Sequence, residues 1–270
     1  MVKFFSLFFL GLRKDLLNAM SYRLQFFGSF AIIFFNLTIY FFFLEFINLQ
    51  NMNENNIEYF KYLFFGLMMI DFSTILARSL SGPITTYKNQ GIFEELMSLP
   101  VSEIQIILNS APFAIINGIL RIFCFLLFYF YIYGTISIDS FGLFILFLSI
   151  TLFILCSLGI SLIFSSITLI FHRGEGLPFI YTAFSTLLGG VFYPVNIISD
   201  KLVPISNLLP IKHILEIFRG SLGFSNYSKD DLIFNMIFLL ILSVLFCFFG
   251  RLLFDKSLAI AKKKASLYVY

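Results

Sequence analysis

The chain has 270 residues, of which 59% are hydrophobic and 12% charged, and its formal net charge is +3. Its 40 phenylalanines and its mean hydropathy of +0.94 exclude an ordinary soluble domain. The net charge is too small to indicate a nucleic-acid partner, and continuous apolar runs exclude an outer-membrane barrel. We therefore predict an all-α polytopic membrane protein with one membrane domain over residues 1–270.

Residues 1–22 open with a short apolar run that basic residues follow. A secretory signal peptide is one interpretation, but the stronger charge follows the run and no small-residue cleavage site is present. We predict instead an amphipathic helix in the membrane interface, with Phe and Leu side chains in the lipid. Its water-facing side chains would be Lys3, Arg13, Lys14 and Asp15.

Six apolar runs follow, and most reach the roughly 20 residues that cross a bilayer as a helix. They cover residues 25–47, 60–80, 112–133, 141–170, 178–194 and 231–253. The fourth run is longer than a bilayer needs, so we expect its helix to tilt or protrude. The sequence therefore predicts six transmembrane helices.

The distribution of Lys and Arg residues predicts the orientation of these helices. One side has four in the N-terminal segment, two after the second span, one after the fourth and five from Arg251 onward, twelve in total. The other side has four, all between the fifth and sixth spans. We therefore place both termini in the cytoplasm, with residues 254–270 as a cytoplasmic tail.

The connection after the second span, residues 82–111, contains "GIFEELMSLP" and is cytoplasmic in this topology. Gly91 can start a helix, and Pro100 would end it at Leu99. The apolar stripe would be Ile92, Phe93, Leu96, Met97 and Leu99, with Glu94, Glu95 and Ser98 opposite. A helix on the lipid surface and a helix that docks on a partner both fit this pattern. The fixed proline corner favours docking.

A second short helix is predicted directly after Pro100. Ser102 and Gln105 have the spacing of a capping box, and Val101 can pack onto Ile106 as a hydrophobic staple. The whole connection would then be a helix, a sharp corner and a helix outside the membrane.

The connection between the fifth and sixth spans, residues 194–228, is too charged to cross the bilayer and too apolar for a free loop. An apolar stripe with helical spacing comprises Ile211, Leu215, Phe218 and Leu222, while Lys212, His213, Glu216 and Arg219 fall off it. Pro194, Pro204 and Pro210 divide the path into short pieces. We predict short re-entrant helices in the outer leaflet.

Asp71 and Arg121 are the clearest charges inside predicted spans. Ionisable groups at membrane depth are costly and usually face the interior of a helix bundle. The two residues could form a pair in the transport pathway or a structural pair between the second and third spans, or they could lie nearer the membrane interface than the predicted spans place them. All three interpretations remain open at this point.

Several site types are absent from the sequence. No G-x-x-x-x-G-K-[ST] motif occurs, so this chain does not bind ATP through a P-loop. His172 and His213 fall on opposite sides of the predicted membrane and cannot share a metal. Cys124, Cys156 and Cys247 lie in apolar spans, as packing residues do. We expect no catalytic residue, metal site or cofactor in this chain.

Two segments resemble signatures of the ABC-2 type transporter permease family, the membrane subunits of type V ABC exporters. They are "GIFEELMSLP" and "GGVFYPVNIISDKLVPISNLLPIKHILEIFRG", the second at the family's position between spans five and six. The amphipathic N-terminal segment and the six spans match as well, so the resemblance covers nearly the whole chain. Glu95 departs from the family, which commonly has an apolar residue there.

The resemblance implies partners and roles that the residues alone do not give. It implies two copies of an ATP-binding-cassette subunit, which hold ATP and magnesium, and a second permease subunit, as in a homodimer. It implies a bacterial inner (plasma) membrane location and export of an amphiphile such as a drug, lipid or glycan. The coupling helix would comprise Gly91, Ile92, Phe93, Glu94, Glu95, Leu96 and Met97, with Pro100 at its end. The outer exit would involve Phe192, Pro194, Pro210, Arg219 and Gly220.

Two other classes remain as alternatives. A secondary transporter would show paired broken helices in repeated halves, and only one broken region is evident. A lipid-modifying membrane enzyme would need clustered polar or metal-binding residues at one membrane face, and the sequence shows none.

Overall fold

A computed structural model describes residues 2–21, 54–134, 139–171, 174, 176–194, 200–222 and 228–263, together with isolated positions between 28 and 42. Most of the predicted first span, 25–47, therefore lies outside the described residues. The same holds for His172, for residues 195–199 and 223–227 of the outer connection, and for the end of the tail from 264 onward.

The described residues are helical, with short turns and no strand. The helices are α1 (Val2–Ser21), α2 (Glu54–Arg78), α3 (Ser81–Asn89), α4 (Phe93–Met97), α5 (Glu103–Leu108), α6 (Ala111–Tyr133), α7 (Ser140–Phe171), α8 (Gly176–Leu188), α9 (Val203–Asn207), α10 (Pro210–Ser221) and α11 (Lys229–Lys263). A 3-10 turn, Asp200–Leu202, precedes α9. The all-α prediction is confirmed.

Three segments of the described chain are long and apolar enough to cross a membrane: Glu103–Ile132, Ser140–Phe171 and Lys229–Lys263. A fourth is counted if Lys61–Arg78 and Ser81–Asn89, which meet at a bend of 45°, form one span. The multi-pass prediction holds, whereas the count of six remains a prediction. The predicted fifth span, 178–194, becomes the 13-residue α8, about 20 Å long at 1.5 Å per residue and shorter than a bilayer's hydrocarbon core.

The two longest helices, α7 and α11, lie against each other through glycine residues. A Cβ atom on Gly159 would lie 2.5 Å from the carbonyl carbon of Phe246, and one on Gly250 would lie 2.5 Å from the carbonyl oxygen of Gly159. The Cys247 thiol donates to the Leu155 carbonyl at 3.2 Å. Backbone contact of this kind is how small residues hold membrane helices together.

Aromatic and aliphatic side chains fill the space around this pair. Phe64, Phe65, Phe125 and Tyr129 pack between α2 and α6 with ring centroids 5.2 to 5.8 Å apart. Helix α10 belongs to the same buried cluster, and it packs against α2, α7 and α11. The predicted stripe of Ile211, Leu215, Phe218 and Leu222 is buried, as expected.

Two polar side chains of α10 lie deeper than the apolar stripe alone indicates. His213 and Arg219 were predicted to fall off the stripe, and the structure shows that both side chains are nevertheless buried. Neighbouring helices cover more of the circumference of α10 than the apolar spacing indicated. Both ring nitrogens of His213 and both terminal nitrogens of Arg219 have polar partners inside the protein, which makes the burial of these side chains possible.

Replacing Gly250 by Ala should destabilise the protein by about 1–3 kcal/mol, because the added methyl group must push α7 and α11 apart. Gly82→Ala is the matched control, since a Cβ there meets no atom within 4 Å and alanine favours a helix. Thermal unfolding of the full chain in detergent compares the two variants. Equal melting temperatures for them would contradict the close helix contact.

Candidate functional site

The cytoplasmic connection predicted at 82–111 contains three short helices, α3, α4 and α5. Gly91 ends α3 with a positive φ of 73°. Its N–H donates to the Lys88 carbonyl at 3.0 Å, and the N–H of Ile92 donates to the Tyr87 carbonyl at 3.1 Å. This is the bonding of a Schellman motif. Gly91 was predicted to start the following helix, and that prediction was wrong.

The helix that resembles a coupling helix is shorter than predicted. It covers Phe93–Met97 rather than reaching Leu99, and the Ser98 hydroxyl closes it by donating to the Glu95 carbonyl at 2.8 Å. Phe93 is only 1% exposed and packs in a cluster that includes Leu80 and Ile104. The aromatic ring therefore supports the connection from inside.

The outward surface of the connection is its corner. Glu95, Ser98 and Pro100 are exposed, and Leu99 keeps 48% of its surface accessible. Ile92, Glu94, Leu96 and Met97 are half-buried. We define the corner surface as Glu95, Ser98, Leu99 and Pro100. Docking by residues 91–100 stays a prediction, but the side chains available for it differ from the predicted stripe.

The helix after the corner, α5, has Ser102 as its N-cap residue but lacks the predicted capping box. The Ser102 side chain makes no cap hydrogen bond. The backbone carbonyl of Ser102 accepts from the N–H groups of Gln105 and Ile106 at 2.9 and 3.3 Å. The first residue of α5, Glu103, forms an ion pair with Lys262 near the end of α11. The connection is thereby attached to the last long helix.

Lys88 attaches the connection to α7 as well. Its side chain is only 4% exposed, and Nζ donates to the carbonyl oxygens of Leu169 and Thr168 at 3.1 and 3.4 Å. These carbonyls belong to the last turn of α7, which has no helical partner for them. A cation here also interacts favourably with the helix dipole. Nζ lies 5.7 Å from the centre of the Phe93 ring, so Lys88 links α4 with α7.

The N-terminal helix α1 lies against the same connection. A Cβ atom on Gly11 would lie 2.4 Å from the Asn109 carbonyl oxygen. Lys14 donates to the Tyr87 hydroxyl and lies 4.8 Å from the centre of its ring. Burial raises the pKa of Asp15, although neighbouring Lys14 opposes the shift. Lys14 and Asp15 thus face the protein in part, and not only water as predicted, while Phe9 and Leu10 stay exposed.

The predicted outer connection begins with a turn after α8, and its later described part contains the 3-10 turn, α9 and α10. Gly190 has a φ of 73°, Phe192 is half-buried and Pro194 is exposed. Pro210 is the first residue of α10, where its missing N–H costs nothing. Gly220 lies in the last turn of α10 and is half-buried. Arg219, predicted for the exit pathway, is 4% exposed and donates to backbone carbonyl groups.

His213 fixes α10 to its neighbours. Its Nδ1 lies 2.7 Å from Oδ1 of Asn235 in α11, and its Nε2 lies 2.9 Å from the carbonyl oxygen of Asn207 in α9. The imidazole ring also stacks on Phe238 with centroids 5.3 Å apart. No group of three or more His, Cys, Asp or Glu residues in the described part of the chain could hold a metal.

Comparison with protein families identifies the chain. The family described as ABC-2 type transporter matches residues 6–223, which include the connection at 82–111, most of the connection at 194–228 and every helix from α2 to α10. The chain belongs to the ABC-2 type transporter family. Comparison with curated protein sequences gave no match.

Membership has direct consequences for the protein. An ABC-2 chain is the permease component of an ABC transporter, an integral membrane protein that associates with an ATP-binding subunit. This agrees with the apolar spans. The resemblance stated from the two sequence motifs is confirmed.

Asp71 and Arg121 of this ABC-2 permease contact each other across α2 and α6. Nη1 of Arg121 lies 3.2 and 3.3 Å from the two carboxylate oxygens of Asp71. Gly118 lies one turn before Arg121, and a Cβ there would meet the Phe72 ring at 2.6 Å, so the helices are close at this level. The structure brings the two charges together, whereas a role in the transport pathway stays a prediction.

Sequence reasoning missed several of the residues that build these regions. Lys88 and Lys262 were counted only as positive charges for topology, and Tyr62 was not considered. Asn235 did leave a signal, because it is a polar residue near the start of an apolar run. Its partner His213 lies 22 residues earlier, which no local pattern connects.

Replacing Lys88 by Met should destabilise the protein by about 1–3 kcal/mol, because two carbonyl groups at the end of α7 lose their buried donor. The matched control is Lys256→Met on an exposed position of α11, which should stay within about 0.5 kcal/mol of the wild type. Denaturant unfolding in detergent measures both. The same stability for the two variants would show that Lys88 does not hold α7.

Removing one member of the Asp71–Arg121 pair should cost about 3–5 kcal/mol, because the other charge is left without its partner. Changing both residues, as in Asp71→Leu with Arg121→Met, should cost less than either single change. A double-mutant cycle on unfolding in detergent measures the interaction. Strict additivity of the two single effects would contradict the pairing.

Proposed function

We propose that this ABC-2 permease is the membrane subunit of an ATP-driven exporter. In this proposal it forms the translocation pathway with a second copy of itself, and two copies of a separate ATP-binding-cassette subunit supply the energy. Both termini would lie in the cytoplasm and the complex in a bacterial inner membrane. Amphiphiles such as drugs, lipids or glycans are the proposed substrate class.

The observation that carries the proposal is the corner surface and the way it is held. Glu95, Ser98, Leu99 and Pro100 are exposed at and near the corner between α4 and α5, within the connection at 82–111. Lys88 ties this connection to α7, and Glu103 ties it to Lys262 of α11. An exposed surface that is anchored to the two longest helices can transmit a displacement of a docked subunit to the membrane domain.

An exposed leucine beside a proline suits docking into a groove of another protein. Such contacts concentrate their energy in a few apolar anchors. Glu95 on the same surface can meet a basic residue of the ATP-binding subunit and set the orientation of the contact. Glu95 stands where the family commonly has an apolar residue. In this proposal it helps to determine which partner binds.

Leu99→Ala should weaken association with the ATP-binding subunit by about 1–2 kcal/mol, roughly five- to thirtyfold. Leu208→Ala is the matched control, because Leu208 is an exposed leucine outside the corner surface, with 64% of its surface accessible against 48% for Leu99. The tagged full chain is purified from its native membranes. Copurified ATP-binding-cassette protein and its ATPase activity are then measured at equal amounts of chain.

Two outcomes would contradict the proposal. If no ATP-binding-cassette protein copurifies with the wild-type chain, the exporter assignment fails. If it copurifies equally with both variants, the partner is bound but the corner surface does not bind it.

A further inference from the structure

The turn directly after α8 contains buried backbone groups that belong to no helix. The helix α8 ends at Leu188, and the turn that follows contains Gly190 and Val191, of which Val191 is fully buried. Irregular backbone at such depth needs partners from the protein, because lipid offers none. The carbonyl groups of Gly190 and Val191 therefore require donors.

Arg219 supplies these donors from the last turn of α10. Its Nη1 donates to the Gly190 carbonyl at 2.9 Å, and its Nη2 donates to the Val191 and Tyr62 carbonyls at 3.3 and 3.0 Å. Its guanidinium carbon lies 3.3 Å from the centre of the Tyr62 ring. The Tyr62 hydroxyl donates to the Gly190 carbonyl at 2.8 Å, which adds a second contact between α2 and the turn.

Close backbone contacts hold these carbonyl groups in place independently of the arginine side chain. A Cβ atom on Gly66 of α2 would lie 2.4 Å from the Val191 carbonyl oxygen. A Cβ atom on Gly189 would lie 2.3 Å from Cγ2 of Ile211 in α10. The turn is thus pressed between α2 and α10 at two glycines. The oxygens would remain convergent if the arginine side chain were removed.

We propose that the carbonyl groups of Tyr62, Gly190 and Val191, together with the Tyr62 ring, form a binding site for a guanidinium ion that Arg219 fills from within the chain. Carbonyl oxygens offer a cation negative charge without an acidic side chain, and an aromatic face adds cation–π attraction. The planar guanidinium group can bond several oxygens at once and stack on the ring, which the single ammonium group of a lysine cannot do.

This site makes Arg219 a positioning residue for the outer connection rather than a lining of an open path. It fixes α10 and the turn to the outer end of α2, so these three elements move together. If the protein is the proposed exporter, the exit would then open along another side of α10.

Chemical rescue tests the site on the full chain alone in detergent. Arg219→Ala should lower the melting temperature by several degrees, and guanidinium chloride at millimolar, non-denaturing concentration should restore at least half of the loss in a saturable manner. Sodium chloride at equal ionic strength should not restore it. The wild type and Arg251→Ala, which removes an exposed arginine, should gain nothing from guanidinium.

Two further variants complete the test. Arg219→Gln, which keeps a neutral donor, replaces Arg219→Ala if the latter yields no folded protein, and it should show the same rescue. Adding Tyr62→Ala to either variant should abolish the rescue, because the ring is part of the site. Rescue that depends on Tyr62 supports the proposal.

A melting temperature of the Arg219 variant equal to that of the wild type overturns the proposal. The proposal is also overturned if guanidinium restores the lost melting temperature no better than sodium chloride. It is overturned as well if the rescue persists without the Tyr62 ring. Because no ATP-binding subunit is needed in this assay, its result is independent of whether the exporter assignment holds.

Discussion

A buried backbone carbonyl group at the end of a helix needs a donor from elsewhere in the protein, and the buried side chains of Lys88 and Arg219 supply such donors. Lys88 lies beyond the C-terminal end of α2 and donates to the last turn of α7. Arg219 contacts Tyr62 near the other end of α2 and donates to the turn after α8. Each basic residue bonds carbonyl groups that have no helical partner at or directly after the end of a helix.

These two attachments give the molecule a continuous packed path between its two connections. The connection at 82–111 is bonded to α7 through Lys88 and to α11 through Lys262. The helices α7 and α11 contact each other at Gly159 and Gly250. At the other end α10 packs on both of them. A displacement of the corner surface would therefore reach α10 through close-packed helices, without a flexible segment among the described residues on that route.

The sequence predicted the features that depend on local spacing. The α-helical membrane class, the apolar stripe of α10 and the corner at Pro100 follow from periodicity and from the chemistry of proline. The predicted contact of Asp71 with Arg121 followed from the high cost of single charges in apolar spans. The family was predicted from two sequence motifs, each of which combines turn residues with a helical segment.

The features that were missed depend on neighbours distant in sequence. Gly91 suits the end of one helix as well as the start of the next, and only the geometry of Tyr87 and Lys88 decides between them. Phe93 has the same spacing in a docking stripe and in a core, and its burial depends on Leu80 and Ile104. Arg219 lies off the apolar stripe of its own helix, yet carbonyl groups from two other segments enclose it.

The central proposal is that Leu99, and not Phe93, contacts the ATP-binding subunit. A photoreactive amino acid placed at position 99 or at position 93 of the full chain, in native membranes, tests this directly. We predict an ATP-binding-cassette crosslink from position 99, where Leu99 is exposed, and none from position 93, where Phe93 is buried in this chain. A crosslink from position 93 alone, or from neither position, would contradict the account.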